Sequence, residues 1–165
     1  MKESVVIREI IEERIFLLRG NKIMLDFHLA ELYGTETKII KRAVKRNKLR
    51  FPEDFCFELT QKEWENLRYQ FGTSKWGGIR YIPFAFTEQG VSMLSSVLRT
   101  KKAVQINIQI MRTFVQLRKI IALHKELSEK LEQLEKRHDT QFKIVFDALR
   151  ELMNPPEKPK RRIGF

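Results

Sequence analysis

The sequence predicts an α+β fold in which a small domain of helices and short strands is followed by one long helix. Two observations support this architecture. Over residues 1–103, short apolar runs bounded by turn residues alternate with helical patterns. From Lys101 to Met153, apolar residues then repeat with a seven-residue period. We therefore divide the chain into a domain at 1–103, a helical oligomerisation segment at 104–154 and a basic flexible tail at 155–165.

The first predicted elements are a helix and a hairpin. Val5–Glu13 carries apolar residues at helical spacing and predicts a short helix. The apolar runs 15–18 and 22–25 flank Gly20-Asn21, and such a pair supplies the positive φ that tight hairpin turns require. We therefore expect two antiparallel strands joined at this pair.

Two further helices are expected on either side of a glycine. Asp26 is the predicted N-cap of a helix that runs to Tyr33, and Gly34 is placed to end that helix in the left-handed conformation. Thr35 is the predicted N-cap of the second helix. Phe51-Pro52 ends it, because a residue before proline is disfavoured in the helical region.

Two more strands are predicted from aromatic and apolar runs. Phe55–Leu59 forms the first, and Ile79–Phe86 forms the second. Because a proline has no backbone N–H to donate, Pro83 places the second strand at a sheet edge or a bulge.

Capping patterns predict the last two helices of the domain. Thr60 and Glu63 have the T-x-x-E spacing of a capping box, ahead of a helix that runs through Tyr69. A loop at 72–78 precedes the second strand. Thr87 is the predicted N-cap of a helix that runs to about Leu98.

The long C-terminal helix carries a coiled-coil pattern. With Ile110 as the first heptad position, ten of the fourteen first and fourth positions are apolar. A helix of this length does not bury its apolar seam on a small domain, so we expect self-association through residues 104–154 or a fold-back. The apolar stripe shifts near residue 142, and a helix break at 137–140 is the alternative to a continuous helix. The fourteen positions are Ile106, Ile110, Thr113, Leu117, Ile120, His124, Leu127, Leu131, Leu134, His138, Gln141, Val145, Ala148 and Leu152.

Positive charge is concentrated in the second helix of the glycine-linked pair. Residues 35–50 hold seven of the thirty-two basic residues and one acid, which is +6 of a formal net charge of +11. On a helical wheel the cations occupy one arc, and Ile39, Ile40, Ala43 and Val44 occupy the other. A helix that packs by one face and offers the other to polyanions is typical of nucleic-acid-binding proteins. The alternative is a solvated basic face on a packed helix.

The two helices fit a helix-turn-helix over residues 26–45. Ala30, four residues before Gly34, allows close approach, and the second helix is the predicted recognition helix for the major groove. Arg42 and Arg46 are expected at bases, since the guanidinium fork matches guanine O6 and N7. The remaining cations of the predicted DNA-binding set are expected mainly at phosphates: Lys38, Lys41, Lys45, Lys48 and Arg50.

The loop Lys75–Arg80 resembles a wing between strands. We expect Lys75, Trp76 and Arg80 to contact the DNA backbone or the minor groove, where arginine is favoured. The alternative is that Trp76 packs on the core and the adjacent glycines only form the turn.

The sequence contains no pattern that predicts an enzyme active site, a bound cofactor or a metal site. Cys56 lies in an apolar run, so a buried thiol is expected. His124 and His138 are expected to interrupt the coiled-coil seam and set its register, with a metal or pH role as the weaker alternative. Because no signal peptide or membrane span is visible, a cytoplasmic protein is expected.

Several motifs resemble the KilA-N-type domain, in its phage open-reading-frame-six N-terminal branch. They are KIMLDFHLAELYG at 22–34, RFPEDFCFELT at 50–60 and WGGIRYIPFAFTEQG at 76–90, with MLSSVLR at 93–99 and PKRRIGF at 159–165. The resemblance implies a small, winged-helix-like α+β domain that binds DNA. It also implies a bacterial protein derived from a phage or mobile element, with an antirepressor or other regulatory role.

These observations predict a sequence-preferring double-stranded DNA-binding protein that acts as a transcriptional regulator and forms a homo-oligomer through residues 104–154. The alternative is an antirepressor-like interaction module that captures another regulator protein through its coiled coil. RNA binding is a third option.

Overall fold

The computed structural model describes residues 2–71 and 80–153, with side chains at 5–70 and 80–153. The chain divides into two compact units, Met1–Leu117 and Arg118–Phe165. The elements, in chain order, are α1 (Lys2–Glu12), β1 (Ile15–Leu18), β2 (Asn21–Leu25), α2 (Asp26–Tyr33), α3 (Thr37–Arg46), a 3-10 helix (Lys48–Arg50), β3 (Cys56–Glu58), α4 (Gln61–Phe71), β4 (Phe84–Thr87), α5 (Glu88–Leu94) and α6 (Lys101–Met153). The predicted α+β architecture with a long C-terminal helix is confirmed.

The first unit is built around a four-stranded antiparallel sheet with strand order β1-β2-β4-β3. Because side chains alternate between the two faces of a strand, consecutive residues enter opposite cores, whereas residues paired across two strands share one core. Met24 and Phe86 are partners and both lie in the larger core, which also contains residues from α1, α2, α3, α5 and α6. Leu25 and Ala85 are partners in the smaller core, together with Trp64 of α4. The sheet therefore separates two apolar cores.

The hairpin turn lies one residue earlier than predicted. Arg19 and Gly20 have φ angles of 51° and 75°, and Leu18 pairs with Asn21. The prediction of Gly20-Asn21 as the turn is wrong, because Asn21 is the first residue of β2. Arg19 donates from Nε and Nη2 to the Glu63 carboxylate at 2.7 and 3.0 Å. This pair holds the hairpin to α4 and lowers the pKa of Glu63 to about 2.

Three helix ends are as predicted. The Thr60 N–H donates to Glu63 Oε2 at 2.8 Å, and the Glu63 N–H donates to Thr60 Oγ1 at 3.2 Å, which is the expected capping box. Thr87 is the N-cap of α5, and its Oγ1 accepts from the Gly90 N–H at 3.3 Å. Gly34 ends α2 with a φ of 68°.

Two predicted N-caps are wrong. Asp26 is the first residue of α2 itself, and the N-cap is Leu25. The N-cap of α3 is Glu36 instead of Thr35. Neither helix has a side-chain cap hydrogen bond. The basic helix also ends earlier than predicted, at Arg46, and the 3-10 helix carries the chain from there to Phe51.

The last strand and the helix after it are shorter than predicted. β4 lies between β2 and β3, so the edge position predicted from Pro83 is wrong. Pro83 precedes the strand, and its missing N–H therefore interrupts no ladder hydrogen bond. α5 ends at Leu94 instead of near Leu98. The predicted loop at 72–78 lies outside the described residues.

The helix α6 is continuous through residues 137–140, so the alternative of a break there is wrong. Its first part belongs to the core of the first unit, where Ile110 and Phe114 are almost completely buried. Every residue from Arg118 to Met153 is exposed. Although α6 is long, neither it nor another described helix has an apolar stretch sufficient to cross a membrane.

The buried imidazole of His28 makes the stability of the first unit depend on pH. Its ring lies 4.2 Å from that of Phe27 and 5.7 Å from that of Phe16, centroid to centroid. Burial, with a smaller effect of Arg14, lowers the pKa of His28 from 6.5 to about 4. In that interval the unfolded chain binds a proton that the folded chain does not, so stability falls as the pH drops.

We expect the His28→Phe variant to lose this pH dependence, because phenylalanine keeps the aromatic packing and does not titrate. The wild-type free energy of unfolding should fall by up to about 3 kcal/mol more than that of the variant between pH 7 and pH 4. Urea unfolding at several pH values measures this difference. If the free energy of unfolding changes equally with pH in the two proteins, His28 is not the source of this pH dependence.

Candidate nucleic-acid interface

The turn between α2 and α3 sets the direction of the basic helix. The Thr35 N–H donates to Ala30 O at 2.9 Å, and the Gly34 N–H donates to Glu31 O at 3.2 Å. These two bonds form a Schellman motif, which needs the left-handed conformation that glycine adopts without strain. Four apolar or aromatic side chains of the two helices are buried together in the larger core: Leu29, Tyr33, Ile40 and Val44.

Most of the predicted DNA-binding cations of α3 and the 3-10 helix are exposed. In the part of the chain that the structure describes, Arg42, Lys45 and Arg46 make no ion pair. Lys38 Nζ lies 2.6 Å from Glu36 Oε2, but an exposed pair of this kind has little net energy. We call the six exposed cations the basic surface: Lys38, Arg42, Lys45, Arg46, Lys48 and Arg50.

Lys41 differs from the other cations because its ammonium group is used inside the first unit. Lys41 Nζ donates to Ile82 O at 2.9 Å and lies 4.9 Å from the centroid of the Phe84 ring. It also lies 3.5 Å from Asp26 Oδ2, and only 23% of the Lys41 side chain is exposed. This geometry favours a role for Lys41 in positioning α3 over the predicted phosphate contact.

Asp26 is the buried partner of Lys41. Its Oδ1 accepts from the Phe27 N–H at 2.8 Å, and its Oδ2 accepts from the Phe84 N–H at 2.9 Å. Burial raises the pKa of Asp26 above its usual value, while the two backbone hydrogen bonds and Lys41 oppose that shift. A single carboxylate therefore connects the start of α2, the start of β4 and the side of α3.

We expect Lys41→Met to destabilise the first unit by about 2 kcal/mol, because it leaves the buried Asp26 carboxylate without its cation. Lys45→Met is the matched control on the same helix. Lys45 is exposed, so its replacement should change stability by less than about 0.5 kcal/mol. Urea unfolding followed by tryptophan fluorescence measures both. Equal effects of the two substitutions would show that Lys41 has no special structural role.

The structure brings Arg80, at the end of the predicted wing, to the start of the basic helix. Arg80, Lys38 and Lys41 line one cleft of about 310 Å³, together with Phe27 and Tyr81. Arg80 is exposed, and Tyr81 is 77% exposed. The other two predicted wing residues, Lys75 and Trp76, lie outside the described residues.

Two further cations lie beside this region and were not predicted from the sequence. Arg50 Nη1 donates to Ser96 Oγ at 3.0 Å, and Arg99 Nε donates to Ser96 O at 3.3 Å, so both guanidinium groups meet at one residue. The ammonium group of Lys102 lies against the turn before α3. A Cβ added at Gly34 in this turn would be only 2.6 Å from Lys102 Nζ. No local pattern marks Arg99 and Lys102, because only the fold brings them close to residues 34–50.

Comparison with known proteins identifies the family of the chain. The model of the ORF6N domain matches residues 13–97, from just before β1 to just after α5. No curated protein and no solved structure gives a significant match. The matched region includes α2, α3 and the 3-10 helix with the whole basic surface, and it covers more than half of the 165 residues. The chain therefore belongs to the ORF6N domain family, the N-terminal domain of phage ORF6 proteins.

Proposed function

We propose that this protein is a sequence-preferring double-stranded DNA-binding protein, a phage-derived transcriptional regulator that acts in the cytoplasm. In this proposal α2 and α3 are a helix-turn-helix, and the domain is related to the wider KilA-N-type group. The observation that carries the proposal is the division of α3 into two faces. Ile40 and Val44 are buried in the core, and the opposite face offers exposed cations.

The geometry supports α3 as a recognition helix. An α-helix fits the major groove of B-form DNA, and its exposed side chains then reach base edges and the flanking phosphates. Arg42 and Arg46 are four residues apart and share one face, so we assign them to bases. Lys38, Lys45, Lys48 and Arg50 are assigned to phosphates. Lys41 is left out of the interface because its ammonium is held by Asp26 and Ile82.

Residues outside α3 extend the proposed interface. Arg80 shares a cleft with Lys38, which supports a second contact to the DNA backbone next to the start of the helix. Arg99 meets Arg50 at Ser96, beyond the other end of α3. Lysine and arginine on both sides of a recognition helix are the usual means of fixing its position on the duplex.

The test is selection of bound sequences from a random duplex library, followed by affinity measurements at several salt concentrations. If Lys38, Lys45, Lys48 and Arg50, together with the flanking Arg80 and Arg99, each neutralise one phosphate, the logarithm of the affinity should fall with the logarithm of the salt concentration. The expected slope is near −5 per domain. Duplex RNA serves as the competitor. A slope near zero, no enriched sequence, or stronger binding to RNA would each contradict the proposal.

A second candidate function is the capture of another regulator protein by α6, as in an antirepressor. The exposed apolar side chains after Leu117 favour it. Because the start of α6 is packed in the core of the first unit, the full chain is the appropriate bait. Recovery of one specific protein that leaves when Leu127 and Leu131 are replaced by aspartate would support this function.

A further inference from the structure

The second unit presents an exposed apolar stripe along the described part of α6. Among its described residues, 118–153, helix α6 is the whole structure, and every side chain is exposed. Large apolar residues such as Leu127, Leu131 and Phe142 expose 55%, 53% and 59% of their surface. Apolar residues at this density on one helix face are typical of a surface that is covered by another helix.

The stripe that is free to bind another helix starts later than the seam predicted from the sequence. Ile106, Ile110 and Thr113 occupy seam positions, but Ile110 and Thr113 are fully buried and Ile106 packs on the same core. Leu117 is also partly buried. A second helix therefore cannot use these positions, and the first exposed position is Ile120.

The apolar stripe changes phase at His138 while the helix continues. Up to His138 the spacing alternates between four and three residues. A second step of four then leads to Phe142, after which the alternation resumes. This insertion of four residues is a stutter, which locally unwinds a coiled coil without breaking its helices. It replaces Gln141 and Ala148 of the unshifted seam with Phe142 and Leu149. The resulting exposed seam is Ile120, His124, Leu127, Leu131, Leu134, His138, Phe142, Val145, Leu149 and Leu152.

We infer that the exposed seam binds the same segment of a second copy of this chain as a parallel, in-register, two-stranded coiled coil with a stutter at His138. Leu127 and Leu134 occupy fourth heptad positions, where parallel two-stranded coiled coils commonly have leucine. His124 and His138 occupy first positions, and polar residues there specify register. Eight of the ten seam residues are apolar, which supplies the driving force.

Charge complementarity supports the parallel orientation. In a parallel pair, the seventh heptad position of one helix faces the fifth position of the next heptad in the other helix. Lys130 and Glu135 occupy these positions, so each Lys130 would face Glu135 of the second copy, twice in the dimer. Five residues of separation place the two side chains on different faces of one helix, so the pair forms only between chains. In the single chain, Lys130 Nζ is 2.7 Å from Glu126 Oε1 in an exposed pair that is easily exchanged.

A parallel dimer would connect two copies of the first unit to the same end of one coiled coil. Two copies of α3 would then be available to one duplex, related by a twofold axis. This consequence extends the proposed DNA-binding function, but the inference itself does not depend on it.

Engineered cysteines in the full-length chain test the orientation. Leu134→Cys places a thiol in the seam next to the dimer axis, so oxidation should link most of the protein into disulfide-bonded dimers. Lys125→Cys, which lies outside the seam, is the matched control and should remain largely unlinked. The natural Cys56 is buried and should not react. A dimer that forms without linkage through Leu134→Cys would overturn the parallel, in-register arrangement.

A charge exchange tests the predicted pair separately from the apolar seam. Lys130→Glu alone and Glu135→Lys alone should each raise the dimer dissociation constant several-fold, because each places like charges opposite one another. The double variant Lys130→Glu with Glu135→Lys should recover most of that loss. A contact within a single helix cannot produce this recovery, because the glutamate introduced at position 130 still lies next to Glu126 of the same helix. Additive losses in the double variant would overturn the register.

Sedimentation of the wild-type chain tests the number of strands without any substitution. We expect a species of twice 19.8 kDa at micromolar concentration. A single chain of 19.8 kDa would overturn the inference and favour a different protein as the occupant of the seam. A trimer or tetramer would overturn the two-stranded form. DNA binding enters none of these readouts, so failure here is distinguishable from failure of the proposed function.

Discussion

Replacing Arg42, Lys45 and Arg46 with glutamate will lower the affinity for the selected duplex by roughly 100-fold or more at physiological salt. The substitutions remove three cations from the basic surface and add three anions that repel phosphates. Folding should be nearly unaffected, because all three side chains are exposed. A cost below about 1 kcal/mol is expected, since Lys45 and Arg46 lie in the last turn of α3, where cations are favourable. Fluorescence anisotropy with labelled duplex measures the affinity.

The control for this variant has the same change in net charge at other positions. Lys119, Lys125 and Lys143 are exposed residues of the second unit and lie outside the exposed seam. Their replacement with glutamate should leave most of the affinity intact, because they lie outside the proposed interface. If both triple variants lose affinity equally, binding depends on net charge alone and α3 is not a recognition helix.

Gly90→Ala will prevent stable folding of the first unit or destabilise it by at least about 3 kcal/mol. A Cβ at Gly90 would lie 1.9 Å from Phe55 O and 2.8 Å from Phe55 C, both of which are backbone atoms. The carbonyl cannot move away cheaply, since it accepts the Thr87 N–H at 3.1 Å. Relief of the overlap requires α5 to separate from the chain just before β3.

Ser92→Ala is the matched control for Gly90→Ala. Ser92 is exposed on the same helix, so the substitution adds no contact and should change stability by less than about 0.5 kcal/mol. The fluorescence of Trp64, which is buried in the smaller core, reports unfolding of this unit. Helical circular dichroism is less suitable, because α6 contributes much of the signal. A stable Gly90→Ala variant would contradict the close approach of α5 to the Phe55 carbonyl.

Predictions from local patterns were accurate at several sites where neighbouring residues determine the structure, although the turn at Gly20-Asn21 and the N-cap at Thr35 were wrong. The capping box of Thr60 and Glu63, the left-handed Gly34 and the N-cap Thr87 each depend on hydrogen bonds within a few residues. The burial of Ile40 and Val44 followed from helical spacing. The errors at Asp26 and Pro83 have a different origin. Asp26 accepts the N–H of Phe84, fifty-eight residues away, and Pro83 is compatible with a central strand because it lies just before it.

The candidate site also combines features that local patterns predict with features that only tertiary contacts determine. Charge concentration and periodicity identified the basic surface, because a helix with one apolar face must expose the other. The same pattern grouped Lys41 with the other cations, although tertiary contacts with Asp26 and Ile82 hold its ammonium inside the unit. Arg99 and Lys102 carry no local signal, and only the fold places them near Ser96 and Gly34.

By itself, the sequence determined the α+β class, the heptad pattern of the long C-terminal helix and the polarity of α3, because each depends on composition and local periodicity. The tertiary structure decided which residues of those patterns remain exposed and can contact another molecule. It assigned Ile110 and Thr113 of the predicted seam to the core of the first unit, and it left the seam exposed only from Ile120 onward. It likewise assigned Lys41 to a buried carboxylate and left Arg42, Lys45 and Arg46 exposed. The physical reason is that a periodic pattern specifies a face, whereas long-range packing determines which part of that face remains in contact with solvent.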